Sequence, residues 1–298
     1  MNVCLENVNL ESNSGPNYFA QKLIKYMGFR GTIFDPNQPQ DIKLTFIESH
    51  GLKPSLPMVQ RLDGIYFNGA FDCDRMNYNI RKTYEASKGV VFQTNFNKDL
   101  IFNWFGEHDN YRIINNGSDV LKIENIKIGF EQYREKYDNI WSCAAHWHSF
   151  KRLKSNIEYF LNFAGENDCL IVAGNDPDEI VEHPRIFYVG DLNSSNLLSL
   201  FKSSKYFIHL AYLDHCPNVV IDARACGCQI ICSSAGGTKE IAGKDAIVIQ
   251  EKEWDFSFLQ DPNPPNLDYG KKMLNPFESP ISMAKTAKNY EKFLKELM

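Results

Sequence analysis

Short apolar runs alternate with helical patterns along the whole chain. In the first half, runs typical of buried strands occupy residues 2–5, 32–34, 42–47, 57–62, 90–92 and 111–114. Helical spacing predicts helices at residues 18–27, 75–87 and 97–105. The second half continues with segments at residues 140–145, 153–163, 169–173, 186–189, 195–201, 206–210 and 229–232, and with a helix after Pro217. This alternation predicts an α/β fold built on parallel sheets with right-handed crossovers.

The polar and charged stretch at residues 131–138 is the best candidate for a domain boundary. A chain of 298 residues is long enough for two domains, each with its own hydrophobic core. We therefore expect a first domain at residues 1–134, a second at residues 135–280 and a closing helix at residues 281–298. Four lysines lie along one face of that helix: Lys285, Lys288, Lys292 and Lys295. They could contact a membrane surface, but the interspersed Glu291 and Glu296 favour a solvated face.

The composition excludes several functional classes. The net charge of −5 gives no general affinity for nucleic acid, which requires clustered cations. The first residues lack the pattern of a secretory signal, and no apolar run approaches the ~20 residues that span a bilayer. The eight cysteines include no paired Cys-x-x-Cys motifs, so a cytoplasmic protein without a bound metal is expected. A zinc site is the alternative for one cysteine cluster, which consists of Cys216, Cys226, Cys228 and Cys232.

The most informative segment of the chain begins at Asp214. Asp214 and Asp222 stand eight residues apart around a Pro-Asn-Val-Val turn, and a helix-like segment, a strand and the pair Gly236-Gly237 follow. A carboxylate before a helix and another about one turn inside it can reach the same cleft. Between them, the N–H groups at the helix start can receive hydroxyl or phosphate oxygens. This combination suits a sugar nucleotide.

The same segment resembles the nucleotide-binding domain of retaining glycosyltransferases with the GT-B fold, of the group 1 or family 4 type. That group carries two glutamates separated by seven residues. This chain matches the spacing, the proline, the alanines and the glycine of the pattern, with aspartate at both acidic positions. Aspartate retracts each carboxylate by one methylene, which bears on the identity of the donor sugar and on activity. Residues 236–241, GGTKEI, resemble the G-G-x-x-E-I motif of the group.

Further matches follow in the order of the family. Residues 90–96 (VVFQTNF) resemble a strand and turn of the acceptor-side domain, and residues 113–119 (IINNGSD) resemble a loop near the hinge. Residues 169–174 and 186–190 resemble two strands that precede the base and phosphate pockets. The resemblance implies two Rossmann-like parallel-sheet domains that face a central cleft. The acceptor-side domain comes first, the nucleotide-sugar domain second, and the closing helix packs back on the first.

The resemblance also implies roles for particular residues of the second domain. Asp222 is expected to hold the ribose hydroxyls, since a carboxylate accepts two hydrogen bonds. Asp214 is expected to meet hydroxyls of the transferred sugar. Lys151 and Arg152 are the expected clamp for the diphosphate, although an exposed pair that touches nothing is the alternative. Main-chain groups near the helix start and near the base complete the expected donor site, at Pro217, Asn218, Val219 and Leu192.

The first domain contributes two weaker candidates. Gly15, in a turn before a helix, could let the main chain approach the donor, or could simply form a turn. Asp63, at a strand end, could assist the acceptor hydroxyl or hold the sugar, or could be a structural cap. His146 and His148 flank Trp147 and are expected to line the cleft or to be structural, because no third metal ligand is identifiable.

These observations predict a metal-independent retaining glycosyltransferase that acts without a cofactor. The donor is expected to be a UDP- or GDP-sugar and the acceptor a hydroxyl of a glycan, glycolipid or glycoprotein. The expected location is the cytoplasm, with peripheral membrane contact as an option. Two alternatives stay open: a catalytically silent protein of the same fold that binds sugar nucleotides or glycans, and a sugar-nucleotide epimerase.

Overall fold

The computed structural model describes residues 1–12, 14–51, 56–175, 177 and 180–298. They divide into two units. The first unit contains Met1–Gly117, Trp254–Pro262 and Ser282–Met298, and the second contains Ser118–Glu253 and Asn263–Ile281.

Five parallel strands form the sheet of the first unit, in the order β1-β2-β3-β4-β5. The strands are β1 (Val3–Glu6), β2 (Ile42–Phe46), β3 (Met58–Leu62), β4 (Gly89–Phe92) and β5 (Tyr111–Ile113). The helices between them are α1 (Gly15–Gly28), α2 (Cys73–Ala86) and α3 (Asn95–Phe105). Residues 32–34, expected to be a strand, contribute only an isolated bridge between Asn2 and Ile33.

Seven strands form the sheet of the second unit, in the order β12-β11-β10-β9-β6-β7-β8. The strands are β6 (Ile140–Ala144), β7 (Cys169–Ala173), β8 (Ile186–Gly190), β9 (Tyr206–His209), β10 (Gln229–Ser233), β11 (Ile247–Ile249) and β12 (Lys272–Leu274). The helices are α4 (Val120–Glu124), α5 (Glu131–Arg134), α6 (Leu153–Phe163), α7 (Ser194–Ser203), α8 (Asn218–Ala225) and α9 (Thr238–Ile241). All pairings are parallel except that of β12 with β11. The sequence patterns did not predict β11 or β12.

The last helix, α10 (Met283–Leu297), belongs to the first unit. Its buried side chains join the core of that unit, and the rings of Tyr290 and Phe19 lie 5.8 Å apart. The four lysines of this helix are all exposed. Glu291, expected to interrupt that lysine face, is instead buried and pairs with Arg30 at 2.6 Å.

The division between the units differs from the expected boundary at 134/135. The first segment of the first unit ends at Gly117, because Ile123 and Tyr137 are buried in the same hydrophobic cluster as Ile140. Residues 254–262, expected in the second domain, belong to the first unit, since Leu259 exchanges backbone hydrogen bonds with the segment around Phe67. No helix within the described ranges is long and apolar enough to cross a membrane.

Candidate functional site

Two loops of the second unit meet where its strand order reverses. From β6 the chain moves to β7 and β8 on one side of the sheet, and β9 then returns to the opposite side of β6. In parallel α/β sheets, the carboxyl ends of the strands at such a reversal leave a crevice in which ligands bind. Lys151 follows β6 and Asp214 follows β9, so both residues lie at this point of the fold.

Lys151 and Asp214 form a direct ion pair, with 2.5 Å between Lys151 Nζ and Asp214 Oδ2. Lys151 ends a short 3-10 helix, Ser149–Lys151. The side chains are 23% and 15% exposed, respectively, so solvent can reach both groups. The structure therefore brings together the residues that the sequence analysis assigned to the phosphates and to the sugar.

The Asp214 carboxylate has two further donors. His209 Nε2 lies 3.0 Å from Oδ2, and the backbone N–H of His215 donates to Oδ1 at 3.0 Å. Burial by itself raises the pKa of Asp214, but the charge of Lys151 and the hydrogen bonds from His209 and Lys151 outweigh it and hold that pKa well below its usual range. Asp214 is therefore a carboxylate at any physiological pH.

The two histidines beside Asp214 are neutral near pH 7. Burial lowers the pKa of His209 despite the opposing effect of Asp214, and burial lowers the pKa of His215 to about 4. Neutral His209 donates from Nε2 to a carboxylate that can only accept, which assigns its proton to that nitrogen. The net charge of the Lys151–Asp214–His209 group is consequently zero.

A glycine loop after β10 packs directly on the backbone of Asp214. The Gly237 N–H donates to the Asp214 carbonyl at 2.7 Å. Gly236 has a φ of +91°, and a Cβ at this position would lie 2.6 Å from the same carbonyl oxygen. Only glycine satisfies both conditions, so the glycine pair noted in the sequence fixes the position of Asp214.

Helix α8 begins beside this loop and carries Asp222. Pro217 is the N-cap residue, and Asn218 and Val219, both half-buried, supply the first N–H groups of the helix. Asp222 is buried one turn later, where Ser118 Oγ donates to its Oδ1 at 2.5 Å. The sequence analysis missed Ser118, because a residue 104 positions away carries no local signal of this contact.

Arg152 is bound to a different partner from Lys151. Its guanidinium forms a bidentate ion pair with Glu251, at 2.8 and 2.7 Å, and also donates to the carbonyls of Leu210 and Pro265. Arg152 is buried and Lys151 is paired, so the alternative of an exposed pair that touches nothing is wrong. The shared phosphate clamp of Lys151 and Arg152 stays a prediction, in which Arg152 is already held by Glu251.

The remaining candidates of the second unit lie at strand ends. Leu192 follows β8 and is half-buried against the hydrophobic core. His146 and His148 are exposed on either side of Trp147, which is buried and donates to the Ala173 carbonyl at 3.0 Å. All eight cysteines are free thiols. Within the described part of the chain, no three His, Cys, Asp or Glu side chains are grouped to hold a metal ion.

In the first unit, Asp63 follows β3 and belongs to a buried polar network. Arg61 Nη1 and Gln93 Nε2 both donate to Asp63 Oδ1. Arg61 is fully buried. Its guanidinium carbon lies 4.1 Å from the centre of the Phe19 ring and 5.0 Å from the centre of the Phe46 ring. Asp63 Oδ2 has no hydrogen-bond partner among the residues that the structure describes. Asp63 is thus anchored through one oxygen.

Gly15, also in the first unit, is the first residue of α1. The helix therefore begins three residues before the predicted start at Tyr18, and Pro16 occupies its first turn, where a missing N–H has no cost. Ser14 precedes it as the N-cap residue.

Comparisons with known proteins give one family match and several structures of the same fold. Residues 148–256 match the family model described as glycosyl transferases group 1. A search of curated proteins finds no match.

Several solved structures share the fold. Sucrose-phosphate synthase from Thermosynechococcus elongatus is similar with a TM-score of 0.63 and 11% identity, over 85% of this chain and 87% of that chain. WaaG, a glycosyltransferase involved in lipopolysaccharide biosynthesis, has a TM-score of 0.61 and 14% identity, over 98% of this chain and 90% of that one. HepE from Anabaena in complex with UDP-glucose has a TM-score of 0.58 and 12% identity, over 99% and 90%. The chain thus has the α/β fold with parallel sheets that these GT-B structures share, and the match to glycosyl transferases group 1 covers residues 148–256 of it.

Proposed function

We propose that this protein is a retaining glycosyltransferase that moves a sugar from a nucleotide-sugar donor to an acceptor hydroxyl. The observation that carries the proposal is the Lys151–Asp214 pair at the reversal of the strand order, 2.5 Å between Nζ and Oδ2. A cation and an ionised carboxylate side by side suit a ligand whose diphosphate adjoins a polyhydroxylated sugar.

The donor exchanges the contact between these two residues for contacts of its own. Lys151 moves to the diphosphate, where positive charge is needed because the leaving nucleotide gains negative charge as the glycosidic bond breaks. Asp214 accepts hydrogen bonds from sugar hydroxyls, and the lowered pKa of Asp214 keeps it an acceptor. The first N–H groups of α8, at Asn218 and Val219, add the positive end of the helix dipole.

Other residues complete the donor site in this proposal. Asp222 holds the ribose diol, and the main chain at Leu192 borders the base. Arg152, fixed by Glu251, adds positive potential behind Lys151. Gly15, in the first unit, allows close approach of the main chain to the donor.

Transfer with retention proceeds on one face of the sugar. The acceptor oxygen bonds to the anomeric carbon as the bond from that carbon to the phosphate oxygen breaks, and the acceptor proton passes to the leaving phosphate. This step needs positioning and charge neutralisation, with no dedicated protein nucleophile. Asp63, anchored by Arg61 and Gln93, accepts a hydrogen bond from the acceptor hydroxyl or the sugar. The chemistry is metal-independent in this proposal.

The donor class rests on the neighbours. HepE was solved with UDP-glucose, which favours a UDP-sugar, with a GDP-sugar as the second choice. The acceptor belongs to the glycans, glycolipids or glycoproteins. A cytoplasmic enzyme with peripheral membrane contact is the setting that we propose.

A donor panel tests the proposal. The protein is incubated with UDP- and GDP-sugars, with EDTA present, and transfer or slow donor hydrolysis is followed by release of the nucleotide. NMR of the product reports its anomeric configuration. Lys151→Ala should abolish turnover, whereas Lys154→Ala, which removes an exposed lysine of α6, should leave it unchanged. Binding of a donor without turnover under all conditions would instead identify a silent binding protein.

A further inference from the structure

A serine at the start of the second unit is bonded to the carboxylate assigned to the ribose. Ser118 is fully buried, and its hydroxyl donates to Asp222 Oδ1 at 2.5 Å. A hydroxyl has a single proton to donate, so this contact commits it to Asp222.

The backbone around Ser118 is itself fixed. Its N–H donates to the Ile281 carbonyl at 2.7 Å, and its carbonyl accepts from the Val120 N–H at 3.0 Å. The next residue, Asp119, caps α4 by accepting from the Lys122 N–H at 3.1 Å. The hydroxyl of Ser118 is therefore presented from a rigid position, and it can orient a partner side chain.

The orientation of the Asp222 carboxylate matters because Asp222 is a buried residue of α8. Val220, Ile221 and Ala223 of the same helix are buried in the hydrophobic core. The terminal torsion of an aspartate side chain has only a broad intrinsic preference, and a vicinal diol is held by two oxygens only when the carboxylate plane has the right orientation. A carboxylate has about four acceptor positions, and the bond from Ser118 takes one of them.

We propose that Ser118 is the positioning residue for Asp222 and thereby makes the site selective for ribonucleoside over 2′-deoxyribonucleoside diphosphates. The inference rests on the proposed function, in which Asp222 holds the ribose. It adds a residue outside the aspartate motif and names the feature of the ligand that this residue controls.

Calorimetric titration with UDP, 2′-deoxy-UDP, GDP and 2′-deoxy-GDP tests the inference on the full-length protein. The variants are Ser118→Ala and Asp222→Asn. The matched control is Ser233→Ala, which removes another buried serine hydroxyl that donates to a carboxylate of the same unit, Glu251. Thermal unfolding of each variant verifies that it is folded.

We expect the wild type to bind the ribonucleotide about 10-fold or more tightly than its deoxy form. Ser118→Ala should weaken ribonucleotide binding about 5- to 10-fold and change deoxynucleotide binding less than twofold, so that the preference is nearly lost. Asp222→Asn should lose it as well, and Ser233→Ala should retain it. An equal loss for both sugars in Ser118→Ala overturns the inference and leaves the proposed function standing. If Asp222→Asn also keeps the preference, the ribose assignment of Asp222 is wrong too. A wild type that binds no nucleotide overturns both proposals.

Discussion

Replacing Asp214 with asparagine should separate the two roles of the Lys151–Asp214 pair. At 2.5 Å between Nζ and Oδ2, the Coulomb attraction at an effective dielectric constant of about 20 is roughly 7 kcal/mol. Desolvation of the two groups offsets most of it, and hydrogen bonds to charged groups contribute about 1.5–3 kcal/mol net. A diphosphate that binds Lys151 must break the contact with Asp214, and breaking it lowers the binding free energy by about 1.5–3 kcal/mol.

Asparagine keeps the shape and the acceptor oxygen of Asp214 but lacks its charge. We therefore expect Asp214→Asn to bind free UDP or GDP about 10- to 100-fold more tightly than the wild type, while sugar transfer falls about 100-fold. Because the pKa of Asp214 is lowered, its contribution to stability is present above the unfolded pKa of about 3.9 and is lost only as the pH falls through the lower folded value. The difference in the free energy of unfolding between the wild type and Asp214→Asn should consequently be constant from pH 5 to 8.

Calorimetry at low and at high salt provides the measurement. The gain in affinity should shrink at high salt, since the charges are partly exposed. Asp268→Asn is the control, because it removes a carboxylate from an exposed ion pair with Lys271 and should change neither affinity nor turnover. Unchanged or weaker nucleotide binding by Asp214→Asn would refute the assignment of Lys151 to the phosphates.

Three further predictions concern the scaffold of the site. Gly236→Ala should abolish donor binding. Gly227→Ala, with the same left-handed backbone (φ +97°) but open space around it, should cost only about 1–2 kcal/mol of stability. Equal effects of the two variants on urea unfolding and on nucleotide titration would contradict this. Glu251→Gln should destabilise the second unit by about 3–5 kcal/mol, because it leaves the buried Arg152 charge without a counter-ion, and an unchanged unfolding midpoint argues against it. Since the pKa of His215 is lowered to about 4 from about 6.5, the free energy of unfolding should fall by up to about 3 kcal/mol between pH 6.5 and 4. Urea unfolding of His215→Gln should lack that part of the pH dependence, and an identical profile would refute it.

Local sequence patterns predicted most of the secondary structure. Apolar runs located ten of the strands, β1 to β10, because buried parallel strands are continuous stretches of apolar residues. Of the two strands that the patterns missed, β12 is the edge strand of the second sheet and β11 lies between it and β10. There β12 is exposed throughout, so burial leaves no signal in its sequence.

The domain boundary could not be derived from local composition. The charged stretch at residues 131–138 marked a surface segment, which is polar wherever it lies. The actual boundary, between Gly117 and Ser118, depends on which core receives Ile123 and Tyr137. The sequence around a hydrophobic side chain does not indicate which of two hydrophobic cores it will join.

By itself, the sequence determined the α/β class and the spacing of Asp214 and Asp222, since both depend on neighbours along the chain. Tertiary structure alone decided the partners of the charged groups. Lys151 and Arg152 are adjacent in sequence, yet one pairs with Asp214 and the other with Glu251, and Asp222 receives its hydrogen bond from Ser118. Such contacts join residues that lie far apart along the chain, and ionic and hydrogen-bonding groups of one type are interchangeable until packing fixes their distances and burial.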